Sequence, residues 1–316
     1  AGMASQRIVL FVAIVAVMAG ACSAAAPSGP PSGSPSARPE ASGSSAPEPT
    51  GSSGTSSGPA GLILRATLQG GFIAPTALRT RLPIVSVYAD GRILSEGVTP
   101  AIYPGPLVPS IVFRSVGPAG AAGILAAAAD AGLTGTDGSY GPGPMPDAPS
   151  TVITVYHDGR QTVSTFSSFL PRQIQPGGPI QPGASVTGDN VGSAASLLLG
   201  RLMGTDAFGG TAGPDGTYTP LGFQVFAVPG APEVSDPDLA RPPLSWPLAT
   251  PLASLGKADP LSGEGARVGI VSGADAVTLG PILESATQIT PFTSGGTQWT
   301  IQVKPLLPDE VPAPAG

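Results

Sequence analysis

The chain has 316 residues, with 20 acidic against 14 basic side chains, a formal charge of −6 and only 11% charged residues. Its basic residues include just two lysines, Lys257 and Lys304, and form no stripe able to track a phosphate backbone, which argues against a nucleic-acid partner. With 45 glycines and 39 prolines the chain is rich in turns, yet the part after Ala60 is long enough to bury roughly 70–75% of its unfolded surface in a core.

The first element is an address. Arg7 is the only charged residue before an apolar run from Ile8 to Met18, and the small residues Ala19, Gly20 and Ala21 precede Cys22, the only cysteine. A basic start, a short apolar run and a small-residue cleavage site make a secretory signal over residues 1–21. The run is short for a membrane span, which takes roughly 17–25 residues, although the uncharged stretch to Ala26 leaves an uncleaved anchor open. The segment resembles a bacterial lipobox, in which a signal peptidase cuts ahead of a diacylglyceryl-modified cysteine. That resemblance implies lipidation of Cys22 and a domain held on the outer face of the cell membrane. Acyl chains contribute about 0.8 kcal/mol per buried CH₂, so two or three of them anchor stably.

Residues 23–60 are Ser, Gly, Pro or Ala at 33 of 38 positions. They are too polar and flexible to fold and form a stalk from the lipidated cysteine. Fully extended at about 3.1 Å per residue, the stalk reaches on the order of 115 Å. Residues 61–312 are the folded part, read as one extracytoplasmic domain, with two subdomains divided near residues 171–190 left open.

Within the domain, Leu62–Leu68 is expected to be a strand. The stretches "VSVYADGR" (Val85–Arg92) and "ITVYHDGR" (Ile153–Arg160) each run a period-two apolar pattern into Asp-Gly, which predicts two hairpins with type I′ turns at Asp90-Gly91 and Asp158-Gly159. Their likeness leaves a duplicated unit open. Between them Pro118 starts a helix with Ile124, Leu125, Ala128 and Leu133 as its apolar stripe, ended by Gly132 or Gly135. A second helix is predicted over Val191–Met203. A third follows Ser272, whose spacing to Asp275 suggests a capping box, and Pro281 is expected to kink or shorten it. Further strands are expected at Phe223–Val228, Ala266–Val271 and Gln298–Lys304, with long loops at residues 141–150, 171–188 and 229–259. Strands, hairpins and about three helices without regular βαβ alternation predict an α+β, loop-rich domain with a mainly antiparallel sheet.

The stretches "GGFIAPTALRTRLPIVSVYADGRILSEG", "IYPGPLVP", "DAPSTVITVYHDGR", "SGADAVTLGPILESATQITPF" and "VKPLLPDE" are similar, in this order, to uncharacterised secreted lipoproteins of high-GC bacteria. The resemblance implies the same architecture of signal, stalk and α+β domain. It brings no activity, cofactor or site.

Catalytic chemistry has little material in this chain. The single histidine, His157, sits at a predicted hairpin corner, and no nucleophile elbow accompanies it. One His and one Cys do not make a zinc site, and Asp137 or Asp236 with Asp238 lack the spacing of a calcium loop. "GPGPMP" and "GGTAGPDG" lack the Lys-Ser/Thr of a phosphate loop, so neither metal nor cofactor is expected. Tyr103, Tyr140 and Trp246 lie in Pro/Gly-rich loops and are the candidate binding residues, with folding back over the sheet edge as the competing expectation. The resulting expectation is a lipid-anchored binding or structural module of the cell envelope, whose partner is an envelope protein or a cell-wall component. The alternative is a hydrolase of cell-wall material working through carboxylates such as Asp137, Asp147 or Asp158.

Overall fold

Leu64 and Ala66 alternate with Arg65 and Thr67 in the first strand, and that alternation sets the first half of the fold. The computed structural model describes residues 57–141, 147–167 and 191–312. In chain order the first half holds β1 (Leu62–Gln69), α1 (Pro75–Thr80), β2 (Val85–Tyr88), β3 (Arg92–Glu96), β4 (Ile111–Ser115) and α2 (Gly117–Asp130). It continues through β5 (Gly138–Tyr140), β6 (Ser150–His157), β7 (Arg160–Ser167), α3 (Val191–Met203) and β8 (Gly216–Thr217). The strands form one sheet in the order β5-β7-β6-β1-β2-β3-β4-β8, in which only β5 and β7 run parallel.

Leu64 lies opposite both Val87 and Val155, and Ala66 opposite both Val85 and Ile153, so these residues share one face. Ile124, Leu125 and Ala128 of α2 and Leu198, Leu199 and Leu202 of α3 close over that face. Each such side chain contributes about 1.5–3 kcal/mol of burial. The α3 helix has the predicted bounds. The α2 helix takes Pro118 in its first turn and ends at Gly132, where φ is 75°. There the Gly132 N–H donates to the Ala129 carbonyl and the Leu133 N–H to the Ala128 carbonyl, both at 2.9 Å, the paired bonds of a Schellman ending.

The two Asp-Gly hairpins differ. Asp158 and Gly159 both have positive φ, 48° and 73°, between the paired His157 and Arg160, as a two-residue type I′ turn requires. At the other turn only Gly91 is left-handed, at φ 86°, and the Gly91 N–H donates to the Tyr88 carbonyl. Ala89 joins Asp90 and Gly91 in a three-residue loop, a type I turn with a G1 bulge, which corrects the type I′ expectation. The hairpins are also not copies of one unit. Strands β2 and β6 both run antiparallel to β1 and share its core face, yet β3 and β7 extend to opposite sides. Two hairpins of opposite hand cannot be superposed with the same face inward, so the repeated sequence reflects a shared turn chemistry.

The second half holds β9 (Gly222–Pro229), β10 (Leu244–Ser245), β11 (Lys257–Ala258), β12 (Arg267–Ser272), α4 (Ala274–Ser285), β13 (Phe292–Ser294) and β14 (Thr297–Pro305). These strands form a second sheet, β10-β13-β14-β9-β12-β11, with only β10 and β13 parallel. Its core joins Phe223, Val225, Ile301 and Val303 to Leu279 and Leu283 of α4. The single sheet expected from sequence is thus two, mixed but mostly antiparallel, and the helices number four among the described residues, because α1 is only six residues long and carries no apolar stripe to signal it. Ser272 stays in β12 opposite Gly222, so no capping box forms and Gly273, at φ 63°, turns the chain into α4. Pro281 is accommodated inside α4, which runs on to Ser285.

The chain passes from the first sheet to the second between Thr217 and Gly222. Residues 168–190, which include the open subdomain division near 171–190, lie outside the described residues, as do residues 142–146 of the first predicted loop. The far face of the first sheet, with Leu62, Tyr88, Leu94 and Ile111, is covered by Leu307 after β14. Next to it Asp309 accepts from the Arg65 guanidinium and from the Tyr88 hydroxyl, each at 2.7 Å, while Lys304 pairs with Glu310 at 2.8 Å. The segment after β14 therefore straps the second sheet to the first.

Candidate functional site

The site begins where β14 loses a neighbour. The Gly230 N–H donates to the Gln298 carbonyl at 2.8 Å and the Leu306 N–H to the Gly222 carbonyl at 2.9 Å, both in the β9–β14 register. Even-numbered residues of β14 thus bond to β9, and in an antiparallel ladder the alternate residues direct their peptide groups the other way. Ile301 and Val303 direct theirs away from β9. On that side β13 pairs only with Thr297, Gln298 and Trp299. It starts at Phe292 because the preceding Thr287–Thr290 turn swings the chain aside before Thr290, which the register would set opposite Ile301, can pair. That turn is closed by the Thr290 N–H on the Thr287 carbonyl at 3.0 Å and by the Thr287 N–H on Thr290 Oγ1 at 2.9 Å. Among the described residues no strand pairs with residues 300–304 of β14 on that side, which leaves an open sheet edge.

A cleft of about 650 Å³ lies against this edge, lined by Thr300, Ile301, Gln302 and Val303 on one side. Opposite stand Ile73, Ala77 and Arg81 from the α1 region, Glu96 at the end of β3, Leu107, and Gln288. The wall is fixed by backbone bonds, with the Leu107 N–H on the Ala286 carbonyl and the Gln288 N–H on the Gly105 carbonyl, each at 3.0 Å. Arg81 Nη1 donates to the carbonyls of Leu68 and Gly70 at 3.3 and 3.2 Å, which holds the guanidinium at the rim. Its neighbour Arg79 is tied down by Asp259 and by Ser262 Oγ at 2.8 Å, with its guanidinium over the Phe226 ring. Partial burial pushes the Glu96 carboxyl above the usual carboxylate range, against the opposing pull of Arg81. The cleft therefore offers a row of peptide groups and one charge of each sign between walls of mixed polarity. Four of the five stretches quoted for the family resemblance meet here, through Arg81 and Glu96, Leu107, Gln288 and Val303.

The three loop aromatics fare differently. Tyr103 is 63% exposed, in the same loop that supplies Leu107 to the cleft wall. Tyr140 folds back and stacks on Phe166 with ring centroids 5.0 Å apart. Trp246 is a core residue at 8% exposure, edge-on to Phe292, with its Nε1–H donating to the Thr250 carbonyl at 2.9 Å. Apolar rings beside an uncovered sheet edge gain more from burial than from waiting in water, so only Tyr103 remains available as a binding aromatic. Cys22 lies outside the described residues.

The carboxylates proposed for hydrolysis serve three different turns. Asp137 Oδ1 accepts from the Val163 N–H at 2.8 Å, Asp147 precedes β6 with φ 61°, and Asp158 occupies the tip of the β6–β7 hairpin. His157 Nε2 lies 3.3 Å from Asp158 Oδ2, beside a groove against α2 lined by Ala121, Ala122 and Leu125. Asp236 accepts from the Asp238 N–H at 3.0 Å in a local turn, and among the described residues no three His, Cys, Asp or Glu side chains gather around a common point.

Sequence reasoning missed Arg81, Glu96 and the open edge. The only local signal was "TQIT", whose Thr287–Thr290 turn keeps β13 from running on along β14. Comparison with protein-family models, with curated proteins and with solved structures finds no match.

Proposed function

We propose that this chain is a lipid-anchored binding module of the cell envelope, an α+β domain held outside the membrane by Cys22 and its stalk, with the cleft along β14 as its recognition surface. The anchor half of this reading is supported by Arg7, the apolar run Ile8–Met18 and the small residues before Cys22. The binding half is carried by one observation, a cleft of about 650 Å³ with fixed walls, an open strand edge along one side and Arg81 and Glu96 at its rim. Its volume lies within the roughly 300–1,000 Å³ of ordinary ligand sites, and its placed polar groups are of the kind that fix a ligand's orientation there.

One culture tests both halves. Cells fed labelled palmitate produce the full chain with a photo-activatable benzoylphenylalanine in place of Gln302, or of Gln161, which is exposed on β7 away from the cleft. The label is expected on the chain and absent from its Cys22→Ser variant. Illumination is expected to give a cross-linked adduct from position 302 and none from 161. Equal labelling with and without the thiol removes the anchor, and equal cross-linking at both positions removes the cleft.

A further inference from the structure

We infer that the ligand of the cleft is an extended peptide segment of a partner protein, which adds as a strand to the free edge of β14. The inference rests on the reading of the cleft as the recognition surface. What names the ligand class is the edge itself. Ile301 and Val303 each turn an N–H and a carbonyl away from β9, and past Trp299 no strand of the described residues meets them. Two donors and two acceptors at a two-residue spacing are the complement of a polypeptide backbone in extended conformation, the pattern by which peptides augment sheets. Such an edge is also a hazard that proteins ordinarily cover, twist away or charge. Here the edge carries none of those protections over Thr300–Gln302, and it lies at the bottom of a walled cleft instead.

The walls decide between occupants. A second copy of the chain would have to bring its own β14 edge, which lies below Arg81, Glu96 and Leu107 in its own cleft. Two recessed edges cannot meet, whereas a single extended strand can enter. The edge is short, because Pro305 has no N–H to offer beyond Val303 and β13 occupies the other end at Trp299. A peptide therefore gains four backbone hydrogen bonds, two at Ile301 and two at Val303, and its alternate side chains fall on either side of the strand, toward the rim where Arg81 and Glu96 stand and toward the floor. Prolines at the bonded positions of the peptide would be excluded.

The test reads single amides by hydrogen exchange in the full chain in detergent micelles. In the free protein the amides of Ile301 and Val303 are expected to exchange more than about tenfold faster than those of Gln302 and Lys304, which bond to β9. The probe is a phage-displayed library of random dodecapeptides panned against the immobilised full chain, and the best binder is then synthesised. Its addition is expected to slow Ile301 and Val303 to the level of their neighbours. Val303→Pro removes a donor that the β9 ladder does not use and is expected to abolish binding while Gln302 and Lys304 stay protected. If that variant loosens the fold, N-methylation of alternate amides in the peptide makes the same cut from the ligand side. Slow exchange of Ile301 and Val303 in the free chain, no enriched peptide, or a bound peptide that leaves both amides fast would each overturn the inference. A cross-linked adduct at position 302 that contains no peptide would overturn it while leaving the cleft as the recognition surface.

Discussion

Replacing Gly91 by alanine tests how the two halves of the first core are joined. Gly91 has φ 86°, and a Cβ built on it would lie 2.2 Å from the Gly117 carbonyl oxygen and 2.4 Å from the Gly117 backbone nitrogen. The same two segments are tied by the Val116 N–H donating to the Gly91 carbonyl at 2.9 Å, so neither can step aside without losing that bond. Two costs add. A left-handed backbone costs an L-residue about 1–2 kcal/mol, and forcing an extra carbon into packed backbone costs about 1–3 kcal/mol, for a total of about 2–5 kcal/mol. Gly295 in the β13–β14 turn is the control, since its φ is 61° but nothing lies within 4 Å of the added carbon. Gly295→Ala carries the first cost alone, about 1–2 kcal/mol. Urea unfolding of the compact unit Ser52–Gly316 reads both. With a slope of about 2–3 kcal/mol per M, Gly91→Ala is expected to lower the midpoint by about 1–2 M and Gly295→Ala by well under 1 M. Equal shifts for the two variants would show that the contact with Gly117 carries no weight, and the reasoning would fail.

Two further outcomes follow from charges. Arg65→Met leaves Asp309, whose side chain is 6% exposed, without its cation, and is expected to cost about 3–5 kcal/mol in urea unfolding, with Arg65→Met/Asp309→Leu recovering part of it. At the cleft, desolvation by the surrounding walls raises the carboxyl of Glu96, itself an exposed residue, so the unfolded chain releases that proton first and the folded state is slightly penalised as pH rises from the ordinary carboxylate value to the raised one. Glu96→Gln is therefore expected to raise the urea midpoint at pH 7 and to lose that advantage below the ordinary carboxylate range. A difference that grows as the pH falls would refute the assignment.

The elements that could be read from the sequence are those whose cause is local. Val191–Met203 is a helix at its predicted bounds because leucines at helical spacing need only a sheet to cover, and Pro118 and Gly132 mark the start and stop of α2 by their own backbone limits. The period-two runs into Asp-Gly specified two hairpins for the same reason. Their turn types were not equally legible. Asp158-Gly159 closes as local preference dictates, whereas Gly91 takes the bulge position in a loop whose backbone packs directly on Gly117, a contact with no local signature.

What the tertiary structure alone decided is the candidate site. Arg81, Glu96, Leu107, Gln288 and Val303 come from segments separated by as much as most of the domain, and no spacing rule links them. Trp246 reads as an exposed loop aromatic until the Phe292 edge is placed beside it. The sequence of β14 is an ordinary alternating strand; that its residues 300–304 lack a strand partner among the described residues depends on where β13 begins, and β13 begins late because the Thr287–Thr290 turn diverts the chain before it. A strand's faces are written in its own alternation, but its edges belong to its neighbours, and only the assembled sheet shows which of them is left free.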